Sequence, residues 1–418
     1  MTSDTDTRPV APASNTQAQP STTGHSSSSL NRATTFLLAC ACGLIAANLY
    51  YVQPLAGPIS ADLGLSEEAT GLVVTLTQLG YSLGLLLIVP LADLIENRKL
   101  VLMTMGLGIF GLLCSGSLPY AETFLFAAFL TGLGSVAVQI LLPYAAHLSS
   151  EAERGRAVGN VMSGLMAGIM LARPVASFIA EYLSWPAVFY LAAAVMALLS
   201  VALYRRLPQR MPTAKSGIVA LLLSMGRIAM TQKVLQRRAL YQALLFASFS
   251  AFWTTVPLLL ASPDYGLSHG DIALFALVGA AGAIAAPIAG RIADKGWTRI
   301  GSALAMGLAI ISYLLPLLAD TGSTLGLILL AAAAVILDFG VSANLIFGQR
   351  AIFILDASLR SRLNAIYMTT FYLGGALGSA IGGWAYATGD WSGLSMFGIA
   401  LPVLALGYFA TERAQVAK

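Results

Sequence analysis

The stretch RRLPQRMPTAKSGIVALLLSMGRIAMTQKVLQRR, from Arg205 to Arg238, carries Arg205, Arg206, Arg210, Lys215, Arg227, Lys233, Arg237 and Arg238 and no acid. It interrupts a very apolar chain and divides it in two. Six apolar runs long enough, or nearly so, to cross a bilayer precede it, and six more follow. The composition agrees: 57% of the 418 residues are hydrophobic and only 10% are charged, more apolar surface than a soluble domain can use. A lipid-exposed backbone must satisfy its own hydrogen bonds, so the runs are expected as helices. Each needs roughly 17 to 25 apolar residues.

Working outward, the expected spans lie at 34–55, 69–92, 100–118, 124–146, 157–183 and 186–204 before the basic stretch. After it they lie at 239–261, 272–292, 300–318, 325–347, 363–387 and 391–409. Pro143, Pro174, Pro257 and Pro287 fall inside these runs, where neighbouring helices can satisfy a broken turn. The chain therefore reads as a tail at 1–30, a six-helix unit at 31–204, a cytoplasmic linker at 205–238, a second six-helix unit at 239–410 and a cytoplasmic tail at 411–418. The first tail is rich in Ser, Thr, Pro and Gln and is expected to be disordered and cytoplasmic. No short apolar core with a small-residue cleavage site precedes the first span, which is itself the targeting signal. Within the linker, 218–235 reads either as a helix lying flat on the membrane surface or as a flexible connection.

Charge fixes the expected orientation. With the N-terminus inside, all of the 23 Lys and Arg residues except Arg173 fall on the cytoplasmic side. Asp62, Glu67, Glu68, Glu122, Glu181, Asp264, Asp271, Asp320 and Asp390 mark the outer loops and span ends. Such bias orients membrane proteins, and one span too many or too few would destroy it. Twelve spans with both ends cytoplasmic are expected, in the inner membrane. The net charge of +4 follows this topology and does not imply a nucleic-acid partner. Cys40, Cys42 and Cys114 lie inside apolar runs as packing residues, so no metal or cofactor is expected.

The two halves repeat each other. Asp93 precedes Arg98 by five residues, as Asp294 precedes Arg299. Trp185 follows Arg156 by 29 residues, as Trp391 follows Arg362, and the flanking pairs Arg154-Gly155-Arg156 and Arg360-Ser361-Arg362 match. This is a duplicated six-helix unit with both copies in the same orientation.

On these residues the chain resembles the major facilitator superfamily. That family carries Gly-x-x-x-Asp-Arg/Lys-x-Gly-Arg-Arg/Lys between helices 2 and 3, echoed between helices 8 and 9. The first loop keeps Asp93 and Arg98 but neither family glycine. The second keeps Gly290, Asp294, Lys295 and Arg299 but not the second glycine. The runs from Asn48 to Pro54 and from Leu337 to Gly340 are similar to bacterial members regarded as efflux proteins. The resemblance implies an all-α fold of twelve helices in two repeats. It also implies an inter-domain latch from Asp93, Arg98, Gly290, Asp294, Lys295 and Arg299, with Asp93 facing the start of span 11 near Leu363 and Asp294 that of span 5 near Ala157, each favoured by the positive helix end. Alternatively these are solvated topology charges.

Two charges lie well inside spans, Glu181 and Arg291 being at span ends. Asp338 is the only acid well within one, and an ionised carboxylate there costs about 2.5–3.5 kcal/mol on insertion scales. It is the candidate proton-coupling group or else a hydrogen-bonded structural carboxyl. Arg173 replaces the glycine before the proline in the Gly-Pro motif that antiporter members carry in helix 5. Counting about 1.5 Å per residue, it lies roughly 8 Å from Asp338 in depth. It is open to three roles: pairing with Asp338, holding an anionic group of substrate, or bonding backbone carbonyls. Tyr50, Tyr51, Gln53, Gln139, Trp253, Tyr367 and Tyr372, with Thr254 and Thr255, are further substrate-binding candidates, since aromatics with a few polar groups suit amphipathic solutes. Gly374, Gly378 and Gly382 read as close helix contacts.

These features point to a secondary transporter exporting a small organic molecule in exchange for protons, as a monomer surrounded by lipid. The alternative is proton-coupled or facilitated uptake of a small organic anion. No Gly-Lys-Ser/Thr phosphate loop is present to use ATP. His25, His147 and His269 lie in the tail or at membrane edges, leaving no in-span base for hydrolysis, so an enzyme is not expected. Two halves about a midplane site favour alternating access over a channel.

Overall fold

The computed structural model describes residues 2, 32–117, 119–150, 153–212, 217–279, 285–356 and 359–412. The expected tails at 1–30 and 411–418 therefore lie outside the described residues, apart from residue 2 and residues 411–412. Among the described residues the regular structure is helical throughout. Ten stretches are long and apolar enough to cross a bilayer. Spans 1 to 6 are Arg32–Leu63, Glu67–Asp93, Asn97–Ser117, Ala121–Leu148, Arg154–Tyr182 and Trp185–Arg206. Lys233–Ala261, Thr298–Leu318 and Thr324–Phe353 are spans 7, 9 and 10. Arg360–Ala410 holds spans 11 and 12, two helices that meet at non-helical Gly389 and Asp390, the latter with φ 52°. Span 8 is formed by His269–Gly279 and Ala285–Asp294 on either side of residues 280–284, which lie outside the described residues. Counted on the described residues, with Arg360–Ala410 as two spans and the two segments of span 8 as one, twelve spans fall into two sets of six, and the linker between them carries a helix, Ile218–Thr231.

Local chemistry sets the breaks. Span 1 is two helices, Arg32–Ala47 and Val52–Leu63. Pro54 has no N–H to offer the Tyr50 carbonyl, which instead accepts from the Gln53 amide at 3.2 Å, a tighter three-residue closure. Tyr50 is thereby held at the junction. Span 10 runs six residues past its expected end at 347, because Arg350 in its last turn is favoured by the negative helix end and pairs with Asp294.

Small residues let the helices approach closely. A Cβ at Gly374, Gly378 or Gly382 of span 11 would run into the backbone or Cβ of Ala243, Ala247 or Ala251 of span 7. The repeat of four on both helices is a small-on-small seam.

The duplication is visible in the polar contacts. At the start of span 3, Arg98 donates to the carbonyls of Tyr204 at 3.3 Å and Leu207 at 3.1 Å, at the end of span 6. At the start of span 9, Arg299 donates to the carbonyl of Glu412 at 2.7 Å, just past span 12. Each arginine also lies over a ring one turn back, Tyr204 or Phe409. Both are cations at a helix C-terminus. Glu412 is part of the second half and not of a loose tail: its carboxylate also pairs with Arg238 at 2.9 Å.

The halves meet along spans 2 and 11 and along spans 5 and 8. At the end bearing the acidic loops they are shut. Gly71 abuts the backbone of Ser379 and Gly383, Thr75 Oγ1 lies 2.8 Å from Ser379 Oγ, and the Gly270 amide donates to Glu181 at 3.1 Å. At the basic end they part around a cavity of about 340 Å³, lined from both halves by Asp93, Gln139, Arg210, Phe353, Arg360 and Asn364. The linker helix borders it through Leu221 and Met225.

Candidate binding site between the halves

Span 7 presents Phe246, Phe249, Ser250 and Trp253 at intervals of three and four residues, one face of a helix. That face looks across the interface toward the first half. Arg173 of span 5 meets it, with its guanidinium carbon 4.3 Å from the Trp253 ring centre, 5.2 Å from that of Tyr50 and 5.3 Å from that of Phe249. Rings on this scale attract a cation through their negative faces. Arg173 Nε donates to Gln53 Oε1 at 2.7 Å. A guanidinium can only donate, so Gln53 must present its oxygen and turn its Nε2 away. Among the described residues, that Nε2 and Arg173 Nη2 have no hydrogen-bond partner.

Asp338 of span 10 reaches the same tryptophan from the other side. Trp253 Nε1 donates to Asp338 Oδ1 at 2.7 Å, while Oδ2 faces the bare Cα of Gly279, where an added Cβ would lie 3.4 Å from the oxygen and run into the indole ring. Among the described residues the ion pairs are Arg238–Glu412 and Arg350–Asp294; Arg173 and Asp338 form none. The direct bridge left open by the sequence is replaced by one indole, which gives its N–H to the acid and its face to the base. Arg173 bonds the side chain of Gln53 and not backbone carbonyls. The cation belongs to the first half and the acid and the indole to the second, so the site is divided by the surface along which the halves meet.

A second chain of contacts joins this site to the cavity. Gln139, at the cavity wall, donates to Tyr81 Oη at 3.0 Å. The rings of Tyr81 and Tyr372 lie 4.4 Å apart, and Tyr372 is within hydrogen-bonding reach of Tyr50. Phe246 stacks on Phe371 at 3.7 Å between centres. Closer to the shut end, Gln78 donates to Ser250 Oγ at 2.9 Å across the interface.

The other expected candidates lie elsewhere. Tyr51 faces a groove between spans 1 and 5, with Gly43, Leu44 and Leu171, because the residue after Tyr50 is turned about 100° around a helix. Tyr367 is fully buried against span 10, its hydroxyl 3.5 Å from the Leu345 carbonyl. Thr255 bonds the Ala251 carbonyl of its own helix. Tyr81, Gln78, Ser250, Phe246 and Phe249 were not singled out from the sequence. The spacing along span 7 was a usable signal for the last three.

The loop residues bond inside their own halves in this arrangement. Asp294 pairs with Arg350, Lys295 lies 5.9 Å over the Trp297 ring, Arg98 and Arg299 bind helix ends, and Asp93 is exposed at the cavity wall. A Cβ at Gly290 would meet open space. Leu363 and Ala157, the expected partners of Asp93 and Asp294, are not among these contacts.

A family model described as Major Facilitator Superfamily matches residues 37–358. The chain is 40% identical over 377 residues to YgaY of Escherichia coli, which is named as an uncharacterized transporter, covering 90% of this chain and 95% of that one. It is 30% identical over 378 residues to a protein of Streptomyces coelicolor named as a probable transporter, covering 90% and 86%. Its fold is similar to that of the nucleoside transporter NupG (TM-score 0.72, 13% identity, 89% of this chain and 99% of that one). It is also similar to a bacterial homologue of the human lysosomal transporter Spinster in an inward-facing, occupied conformation (TM-score 0.71, 15% identity, 91% and 96%).

Proposed function

The chain belongs to the major facilitator superfamily and is a multi-pass membrane transporter, and from that premise we propose that it is a proton-coupled exporter of a small organic molecule that works by alternating access. The observation that carries this reading is the shared indole. Asp338 is the intramembrane acid, 9% exposed, and its hydrogen-bond partner Trp253 is also the surface on which the first half rests its Arg173. Loading or unloading a proton on Asp338 changes what the indole N–H is bonded to, at the seam between the halves. Proton state and rocking then share one joint. The basic end, open here, is the cytoplasmic end in this reading, and the membrane is the bacterial inner membrane.

The cavity at the basic end is the entry path, and Tyr81, Tyr372 and Tyr50 form the route from Gln139 to the site. When the basic end shuts, Asp93 and Asp294, the latter with Arg350 still beside it, come to face the N-termini of spans 11 and 5, where a negative charge is favoured. Arg98 and Arg299 act differently, by tying the third helix of each half to its sixth. Gly290 leaves span 8 room to approach, and Lys295 sits beside Asp294 at the same rim.

The test is a screen of diverse solutes in cells and then in proteoliposomes, with and without a proton gradient, comparing the protein with Asp338→Asn. Gradient-driven movement is expected to vanish in the variant while exchange of solute without a gradient persists. Full gradient-driven movement in Asp338→Asn would remove Asp338 from the mechanism. A second reading, proton-coupled or facilitated uptake of an organic anion, is favoured by the free Nη2 of Arg173. Solute accumulating inside energised cells on expression, and falling with a protonophore, would select it over export.

A further inference from the structure

We infer that Arg173 and Gln53 form a subsite for the carboxylate of the transported molecule, and that this molecule is a small monoanion with a flat apolar body. The inference rests on the interface between the halves being the transport site, as proposed above.

It starts from two unmade hydrogen bonds. Arg173 is 5% exposed and Gln53 fully buried, yet among the described residues Arg173 Nη2 and Gln53 Nε2 lack partners. A buried donor left unpaired is costly, more so on a charged group, which marks a place for an acceptor that comes and goes. Both free atoms are donors, so an ammonium group finds nothing to bond there. The two residues are joined by the 2.7 Å bond from Arg173 Nε to Gln53 Oε1, so the free donors belong to neighbouring, mutually fixed groups. A planar acceptor with two oxygens can take one donor on each, the geometry in which guanidinium groups hold carboxylates.

The surroundings limit the rest of the molecule. Trp253, Tyr50 and Phe249 lie within 4.3–5.3 Å of the guanidinium carbon, so rings crowd the group and its unpartnered Nη2 is the donor left to a ligand. The body must lie among those rings, with Tyr372 beyond them, which suits a flat apolar group. Arg173 is the only Lys or Arg well inside an expected span, Arg291 lying at the cytoplasmic end of its own, and Asp338 is close by through Trp253. One positive charge beside an acid matches a single negative charge. A dianion such as a phosphate ester would lack a second cation.

The experiment uses purified full-length protein in lipid nanodiscs and reads binding by calorimetry. The probes are benzoate, phenylacetate and indole-3-acetate, each against its neutral amide. At least one acid is expected to bind at least tenfold more tightly than its amide. In Arg173→Gln that preference should disappear, and in Gln53→Leu, which keeps the charge, affinity should fall about three- to tenfold, the worth of one hydrogen bond. Should Arg173→Gln fail to fold, Arg173→Lys and Gln53→Leu carry the test: a lysine lacks the fork and should also weaken the acid selectively. Equal binding of acid and amide, no binding of any acid, or a preference unchanged by both variants would overturn the inference. If solutes without a carboxylate are moved in an Asp338-dependent way while no acid binds, this inference fails and the transport reading stands. If an acid binds through Arg173 but no solute moves in proteoliposomes, the transport reading fails and the subsite stands.

Discussion

The two ends of the molecule are held by different chemistry. At the acidic end the halves touch through bare backbone at Gly71 and Gly383, through neutral hydrogen bonds such as Thr75 to Ser379 and Gln78 to Ser250, and through a single exposed carboxylate contact, the Gly270 amide on Glu181. At the basic end the charged contacts of Arg98, Arg238, Arg299 and Arg350 each stay within one half. The difference separates two tasks. A seam that must open and shut repeatedly is made of weak, short-range contacts, whereas charged groups keep each half rigid while it moves. A neutral hydrogen bond contributes a net 0.5–1.5 kcal/mol or so, small enough to be exchanged for contacts at the other end.

Substitutions at the two ends should therefore break different things. The largest effect is expected from Gly71→Leu, whose side chain would enter the backbone of span 11 only when the acidic end is shut. Overpacking of this kind costs about 1–3 kcal/mol, so the population open at the acidic end should rise roughly 5- to 150-fold, read as faster labelling of a cysteine placed on span 11 near Ser379. Unchanged labelling would mean that the seam is not a gate. A smaller shift, roughly two- to twelvefold, is expected from Gln78→Leu in the same assay, with thermal stability little changed. At the other end, Arg98→Gln and Arg299→Gln should each lower stability by about 0.3–1 kcal/mol and leave the labelling rate alone. Similar losses in the two variants would sharpen the comparison, since the two arginines occupy equivalent places. A large shift in labelling from either would erase the distinction between the ends. Smallest of all is the expected loss of stability in Arg350→Gln: its pair with Asp294 is partly exposed, and such pairs contribute about 0–1 kcal/mol.

Much of this arrangement was legible in the sequence. Spans, their number and the twofold repeat follow from apolar run length and from where Lys and Arg fall, because bilayer thickness and charge insertion act on composition alone. Arg173 and Asp338 stood out because charges inside spans are costly. What joins them did not. Trp253, Gln53 and Tyr50 come from helices of both halves, and which side chains meet across that seam depends on helix rotation, which a single sequence leaves open. Tyr51 and Tyr367 show the same effect from the other side. Tyr367 and Tyr372 are five residues apart, about 140° around a helix, so only one of them can face the site. Glu412 follows the last apolar run, so the sequence alone places it in a tail, although Arg238 and Arg299 both hold it.

The claim on which the account depends is that the seam at the acidic end must part for solute to cross. Thr75 Oγ1 and Ser379 Oγ are 2.8 Å apart, so Thr75→Cys with Ser379→Cys, in a chain whose Cys40, Cys42 and Cys114 are replaced by alanine, places two thiols across it. Transport of a solute found in the screen is then measured in proteoliposomes before oxidation, after it, and after reduction. Loss of transport on oxidation and its recovery on reduction is the predicted result; undiminished transport through fully cross-linked protein would contradict alternating access through this interface.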